Sequence, residues 1–316
     1  PTLGRLAGHR LPTASPAREF DLIIKGGTVI DGTGEPRRIA DVGVIGDTIE
    51  AIGDLSGSTA KRTLDASGKV VTPGFIDAHA HVADRRLGAE ALTSPDRRYR
   101  SAQNFVMQVI TTGIGNPDGA QPAELPVQRA ALEQGGIGIN VALMSGHNFL
   151  RSQVMGKNSQ RPATAEEIAR MQALLVRSLE QEGAFGLSTG LEYDSMLFSN
   201  TEELVALAKV LVPYGGIYTA HQRSQGIAPM WYKPSVHKTV VPPTLEGSIK
   251  ESIKVAETGA TTIITHIKAW GPGYRGNSAK YIAMIEEARG RGARLYCDLY
   301  PYMSAGSDLS LIHISQ

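Results

Sequence analysis

A change of texture at Gly74 constrains this chain more than any other feature. From there on, short apolar runs alternate with amphipathic segments that each end near a glycine. Such alternation reads as parallel strands joined by helical crossovers. "GFIDAHAHV", "VITTGIGNPDG", "GINVALMSGH", "GAFGLSTGLEY", "GGIYTAHQR", "TTIITHIKAWG" and "ARLYCDLYPY" supply seven strands. The segment "TAEEIARMQALLVRSLEQEG" shows the helical logic. Thr164 opens it, and Glu167 completes a capping box. Ile168, Met171, Leu175 and Leu179 form an apolar stripe, and Gly183 stops the helix. "NTEELVALAKVLVPYGG", "TLEGSIKESIKVAETGA" and "NSAKYIAMIEEARGRGA" repeat the pattern.

Upstream the grammar differs. Residues 1–19 are rich in Pro, Ala and Arg and read as a flexible lead-in. Residues 20–72 carry short strands and turn signals, among them "DGTGEP" and a Gly-Asp turn, as in a small β-sheet or partial sandwich. Residues 73–316 form the α/β part. Its first βα turn has no GxGxxG loop, which weighs against a doubly wound nucleotide-binding sheet. The expected architecture is a (β/α)8-type TIM barrel preceded by a β-sandwich-like segment. A closed barrel takes eight strands, and the chain stops soon after the seventh, so the expected barrel is incomplete, with strand eight missing.

Composition removes several function classes. The 32 basic side chains balance 31 acidic ones, for a net charge of +1. That gives no broad field for nucleic acid or an anionic membrane. No apolar run approaches the ~20 residues of a membrane span. Cys297 is the sole cysteine, so no intrachain disulfide forms. A reducing compartment is compatible with this, and a cytoplasmic placement is slightly favoured. Export stays open, because the chain begins at Pro1 and not at Met.

The histidines are unusually placed. His79 and His81 sit at i and i+2 at the end of the first strand, where both point to one face together with Asp77. His221 ends the fifth strand and His266 the sixth. In a barrel, the C-terminal ends of the strands meet at the mouth where active sites form. Four imidazoles there are hard to explain by packing, since imidazole buries poorly without partners. They suit one or two zinc-like divalent ions. His147, after the third strand, either orients a substrate or is a plain loop histidine. His9, His237 and His313 read as surface residues.

With these motifs in place, the chain resembles the amidohydrolase superfamily and, within it, the N-acyl-D-amino-acid deacylases. The likeness runs from about Phe20 to about Gly306 and includes "DLIIKGGTVIDGTG", "VVTPGFIDAHAHV", "GAFGLSTGLEY", "AHQR", "THIKAWG" and "DLYPY". His-x-His marks the superfamily; "GLSTGLEY" with "DLYPY" is specific to the deacylases. The resemblance implies a zinc-bearing barrel that hydrolyses a small N-acyl-D-amino acid to a carboxylate and a free D-amino acid. It also implies a sandwich built from both chain ends. His79 and His81 would serve one metal position, and His221 and His266 the other. Tyr193, Lys268 and Tyr300 match substrate-facing positions, and Arg223 shares the strand-five signature.

Two departures from the family stand out. Where the family commonly has "GNCG", with a cysteine ligand, this chain has "GNPDG". Asp118 is either an oxygen ligand in its place or an Asp-Gly turn, and Glu192 is a second candidate carboxylate. The family's catalytic aspartate, at the end of strand eight, has no counterpart here. The catalytic base is therefore unassigned, and little turnover is expected of the 316-residue chain itself. A divalent ion would acidify a water and, like His147, polarise the scissile carbonyl, while Lys268, Arg223 and Tyr193 hold the substrate carboxylate. Trp231 and Tyr232, in a long insertion after strand five, either line the acyl pocket or decorate a surface loop. Two alternatives remain at this level. One is a hydantoinase- or dihydroorotase-like cyclic-amide hydrolase, disfavoured because strand four has no lysine. The other is a catalytically inactive metal-binding fragment.

Overall fold

The computed structural model describes residues 18–82, 92–230, 232–235, 237, 243–271, 273–300 and 302. His9, His313 and Trp231, and nearly all of the lead-in, lie outside them. Two compact units are present, one ending at Phe75 and the other beginning at Ile76.

The first unit is a five-stranded sheet of β1 (Glu19–Val29), β2 (Arg38–Ile45), β3 (Thr48–Gly53), β4 (Thr59–Asp65) and β5 (Val70–Val71). Its order is β3-β2-β1-β4, with β5 also on β1. β1 runs antiparallel to β2 and parallel to β4 and β5. The register of β1 slips between Ile24 and Gly27, where Gly26 takes φ +69°. A glycine suits that bulge because it adopts positive φ without a Cβ clash. Asp41 braces the slip: its carboxylate accepts the Gly26 N–H at 2.8 Å and the Leu55 N–H at 3.1 Å. Phe20, Ile23, Ala51 and Leu55 form one core cluster here.

The second unit is α/β. β7 (Ile110–Gly115) pairs in parallel with β8 (Asn140–Leu143), and the short β6 (Phe75–Asp77) flanks β7. β9 (Ser145–Gly146), β10 (Gly186–Gly190), β11 (Ile217–His221), β12 (Thr261–Ile264) and β13 (Leu295–Cys297) form a five-stranded parallel sheet. Met144 alone separates β8 from β9, so one extended stretch pairs with β7 on one side and β10 on the other. Helices Ala165–Glu180, Thr201–Leu211, Leu245–Ala256 and Ser278–Gly290 supply the crossovers.

The crossover helices form where capping and an apolar stripe agree. Thr164 and Glu167 make a reciprocal capping box, and Met171 and Leu175 are buried. Asn200 and Thr244 cap the next two helices through their side chains. Leu175, Leu187, Leu204, Leu207, Leu211 and Tyr218 pack between helices and sheet. Each such leucine contributes roughly 1.5–3 kcal/mol by leaving water. Among the described residues no helix is long and apolar enough to cross a membrane.

Candidate metal centre

Every group at the centre lies at, or past, the C-terminal end of a strand. His221 closes β11, His266 follows β12 by two residues, and Asp298 follows β13 directly. Asp118 follows β7, and Glu192 follows β10. His79 and His81 differ from expectation in their means of placement. The ladder stops at Asp77, and both histidines lie beyond it. Alternate burial persists without the ladder: Ala80 and Val82 bury themselves in an apolar cluster, while the two imidazoles face Asp118. Asp77 fixes the step by accepting the His79 N–H at 3.0 Å, and the Ala80 N–H donates to the Ile114 carbonyl at 3.0 Å.

Asp118 is the hub. Its Oδ1 lies 3.4 Å from His79 Nε2, 3.5 Å from His221 Nδ1 and 3.9 Å from His266 Nε2, and its Oδ2 lies 3.6 Å from His81 Nε2. These separations exceed hydrogen-bond length. They suit donor atoms arranged around a shared ion. His79, Asp118 and His266 each present one ligand atom within 4.8 Å of the others. Asp118 Oδ1 and His79 Nδ1 are buried without hydrogen-bond partners among the described residues. An unpaired buried carboxylate oxygen is costly, and a cation would satisfy it. The donors are imidazole and carboxylate, a set that suits zinc and its first-row neighbours. The residues present therefore fit a divalent metal.

The backbone is bent to make this cluster. Asn116 (φ 60°), Asp118 (φ 57°) and His266 (φ 37°) all lie in the left-handed region. Asn and Asp tolerate it through local hydrogen bonds; histidine does so at a cost. Asn116 donates its amide to the Met144 carbonyl at 3.0 Å, and the Ser188 hydroxyl donates to the Asn116 carbonyl at 2.5 Å. Gly190 is required opposite, because a Cβ there would collide with the Asp118 carbonyl.

Electrostatics follow the geometry. Burial opposes ionisation of Asp118, yet the imidazoles of His221, His266 and His79 hold its carboxyl well below the usual range. His221 and His266 move in opposite directions. Burial lowers both. Asp118 and Glu192 overcome it at His221 and raise that ring to about 9. Burial and the neighbouring cations bring His266 down to about 4. Burial also brings the Lys268 ammonium down to about 8.

The sequence-derived substrate residues divide into two groups. Tyr193 Oη lies 3.2 Å from His221 Nδ1. Lys268 Nζ donates to the His266 carbonyl at 2.9 Å and sits 4.9 Å above the Tyr300 ring. These three border the cluster. Arg223 is engaged elsewhere, in a two-pronged pair with Glu251 at 3.1 Å on each oxygen and in bonds to the Met196 and Leu197 carbonyls. A cavity of about 350 Å³ opens beside that pair, and none of the clustered histidines lines it. His147 is fully buried, with Nδ1 3.0 Å from Thr189 Oγ1 and Nε2 2.8 Å from Glu203 Oε1. Both of its ring nitrogens are engaged within the protein. Tyr232 stacks on His237 at 5.8 Å.

Sequence reasoning gave no role to Asp298, which accepts the His266 N–H at 2.5 Å. It also missed Glu203, 56 residues from its partner His147. Only the fold brings either pair together.

Strands that bring a carboxylate and four imidazoles together at their C-terminal ends form a site suited to a divalent metal. A family model described as "Amidohydrolase family" matches residues 62–218, and the chain belongs to that family. Within it, the chain is 35% identical over 309 residues to the N-acyl-D-glutamate deacylase of Alcaligenes xylosoxydans xylosoxydans, covering 92% of this chain and 59% of that protein. It is 34% identical over 319 residues to the D-aminoacylase of the same organism, covering 93% and 60%. The chain thus spans under two thirds of the length of these relatives. The crystal structure of the Bordetella bronchiseptica N-acyl-D-glutamate deacylase, complexed with zinc and a phosphonate inhibitor, matches with TM-score 0.74 and 32% identity, over 90% of this chain and 59% of that one. The L-hydantoinase of Arthrobacter aurescens matches with TM-score 0.61 at 18% identity, a likeness of fold alone.

Proposed function

We propose that this chain carries the metal centre of a zinc-dependent hydrolase that cleaves the amide bond of N-acyl-D-amino acids. The parallel strands would belong to a (β/α)8-type barrel. The observation that carries the reading is the approach of His79, His81, His221 and His266 to the single carboxylate of Asp118. Its relatives' names, D-aminoacylase and N-acyl-D-glutamate deacylase, support linear amides as the substrate class.

His79, His81, Asp118, His221 and His266 would hold one or two ions. When bound, the metal would supply Lewis acidity, acidifying water and polarising an acyl carbonyl. The chain's own residues do the rest. Lys268, whose ammonium projects beside His266 and Tyr300, is placed to pair with the amino acid's carboxylate. Tyr193 Oη, beside His221, is placed to donate to an acyl oxygen. Arg223, already paired with Glu251, would act by holding the segment after β11 in place.

Calorimetry on the purified chain tests this. Zinc should bind near stoichiometrically, and the zinc-loaded chain should bind an N-acyl-D-glutamate or its phosphonate analogue in preference to the L-enantiomer and to hydantoins. Absence of zinc binding, or preference for the cyclic amide, would overturn the proposal.

A further inference from the structure

Glu192 is buried to 1% exposure two residues past β10, and both its oxygens are committed. Oε2 lies 2.9 Å from His221 Nε2. Oε1 accepts the backbone N–H of Met230 at 2.8 Å. Across the same ring, His221 Nδ1 faces Asp118 Oδ1 at 3.5 Å and Tyr193 Oη at 3.2 Å. The imidazole is therefore engaged from both sides: Nε2 meets the Glu192 carboxylate, and Nδ1 faces the Asp118 cluster.

We propose that Glu192 is a positioning residue that keeps the proton of His221 on Nε2 and so presents Nδ1, unprotonated, as the metal donor. The inference rests on the metal-centre reading above. A carboxylate only accepts hydrogen bonds, so Nε2 must donate to it, and a neutral ring then has its lone pair at Nδ1. Such a partner fixes ring orientation and raises the basicity of the ligating nitrogen. The Met230 bond matters as much. It anchors the carboxylate from the other side, so Glu192 cannot swing away when the ring moves. It also ties the segment after β11 to the ligand that ends β11.

Glutamine is a telling replacement because its two ends differ. With the amide oxygen towards Met230, its NH2 group would face Nε2 and favour the opposite tautomer. With the oxygen towards Nε2, the NH2 group would face the Met230 N–H, donor against donor. Either arrangement penalises the proposed state with almost no change of volume.

Zinc affinity is measured by chelator competition for the wild-type chain and E192Q, alongside the thermal midpoint of each without metal. The expected result is a loss of affinity of about 10–100-fold in E192Q; the metal-free midpoint, which falls with the lost Glu192–His221 pair, shows that the variant is folded where the affinity is read. Affinity within twofold of wild type would overturn the inference and leave the metal centre standing. Absence of zinc binding by wild type would sink the metal centre itself, and this inference with it. Should E192Q fail to fold, nitrogen-15 spectra of histidine-labelled, zinc-loaded wild type decide the matter: the His221 proton on Nε2 supports the inference, and zinc on Nε2 refutes it.

Discussion

The backbone N–H of His266 donates to Asp298 Oδ1 at 2.5 Å, joining the turn after β12 to the residue that follows β13. His266 needs that brace, because its φ of 37° is disfavoured for a side chain with a Cβ. The Asp298 main chain helps, accepting the Ile267 N–H at 3.0 Å and donating to the Ile264 carbonyl at 3.1 Å. Asp298→Ala should therefore destabilise the chain by about 1.5–3 kcal/mol, the range for a hydrogen bond to a charged acceptor, and weaken zinc binding. Asp298→Asn keeps Oδ1 as an acceptor and should cost far less. Urea denaturation of the three proteins reads the difference.

Asp118 offers a second test. Asparagine tolerates the same left-handed backbone, so Asp118→Asn changes charge without adding strain. It also removes the only carboxylate among the described residues that approaches all four imidazoles. Zinc affinity should fall by at least the ~10–100-fold seen for outer-sphere changes at metal sites. Equilibrium dialysis with metal analysis would show it, and undiminished zinc in the variant would make Asp118 a turn residue only.

Much of this was legible in the sequence, and the remainder was hidden for identifiable reasons. Seven apolar runs gave the parallel strands because buried strands announce themselves by composition, and Thr164 with Glu167 announced a helix start. His221 and His266 were found by their place at strand ends. Periodicity misjudged the route at His79 and His81: the alternation is real, but the ladder that was expected to impose it ends at Asp77. Partners distant in sequence stayed invisible. Nothing local to His147 reveals that Glu203 will meet it, and nothing in "AHQR" reveals that Glu251 will absorb Arg223.

A third prediction concerns that hidden network. Arg151 and Glu203 are fully buried and meet at 2.6 Å on both carboxylate oxygens, and Arg151 also donates to the Ser159 and Arg161 carbonyls. Arg151→Met would strand Glu203 in the core and should cost about 3–5 kcal/mol. Arg151→Met with Glu203→Gln removes the stranded charge and should recover part of that loss. Chemical denaturation midpoints of the single and double variants test the order.

The same network sets a pH dependence. Burial is the largest influence on His147 and pushes its pKa below 6.5, outweighing the pull of Glu203. The folded chain thus holds this ring neutral at pH values where the unfolded chain protonates it. Its contribution to stability is full above the unfolded pKa of about 6.5 and is lost as pH falls towards the lower folded value. Glu203 acts in a lower window. Burial opposes its ionisation, but His147 and Arg151 hold it at about 2. Its contribution is present above the unfolded value near 4.5 and disappears as pH approaches 2. Thermal midpoints of the metal-free chain should therefore decline below pH 6.5 and drop again below pH 4.5. His147→Asn should be less stable at pH 7.5 yet flatter between pH 7 and 5. An equally steep decline in that variant would assign the upper step to the other histidines.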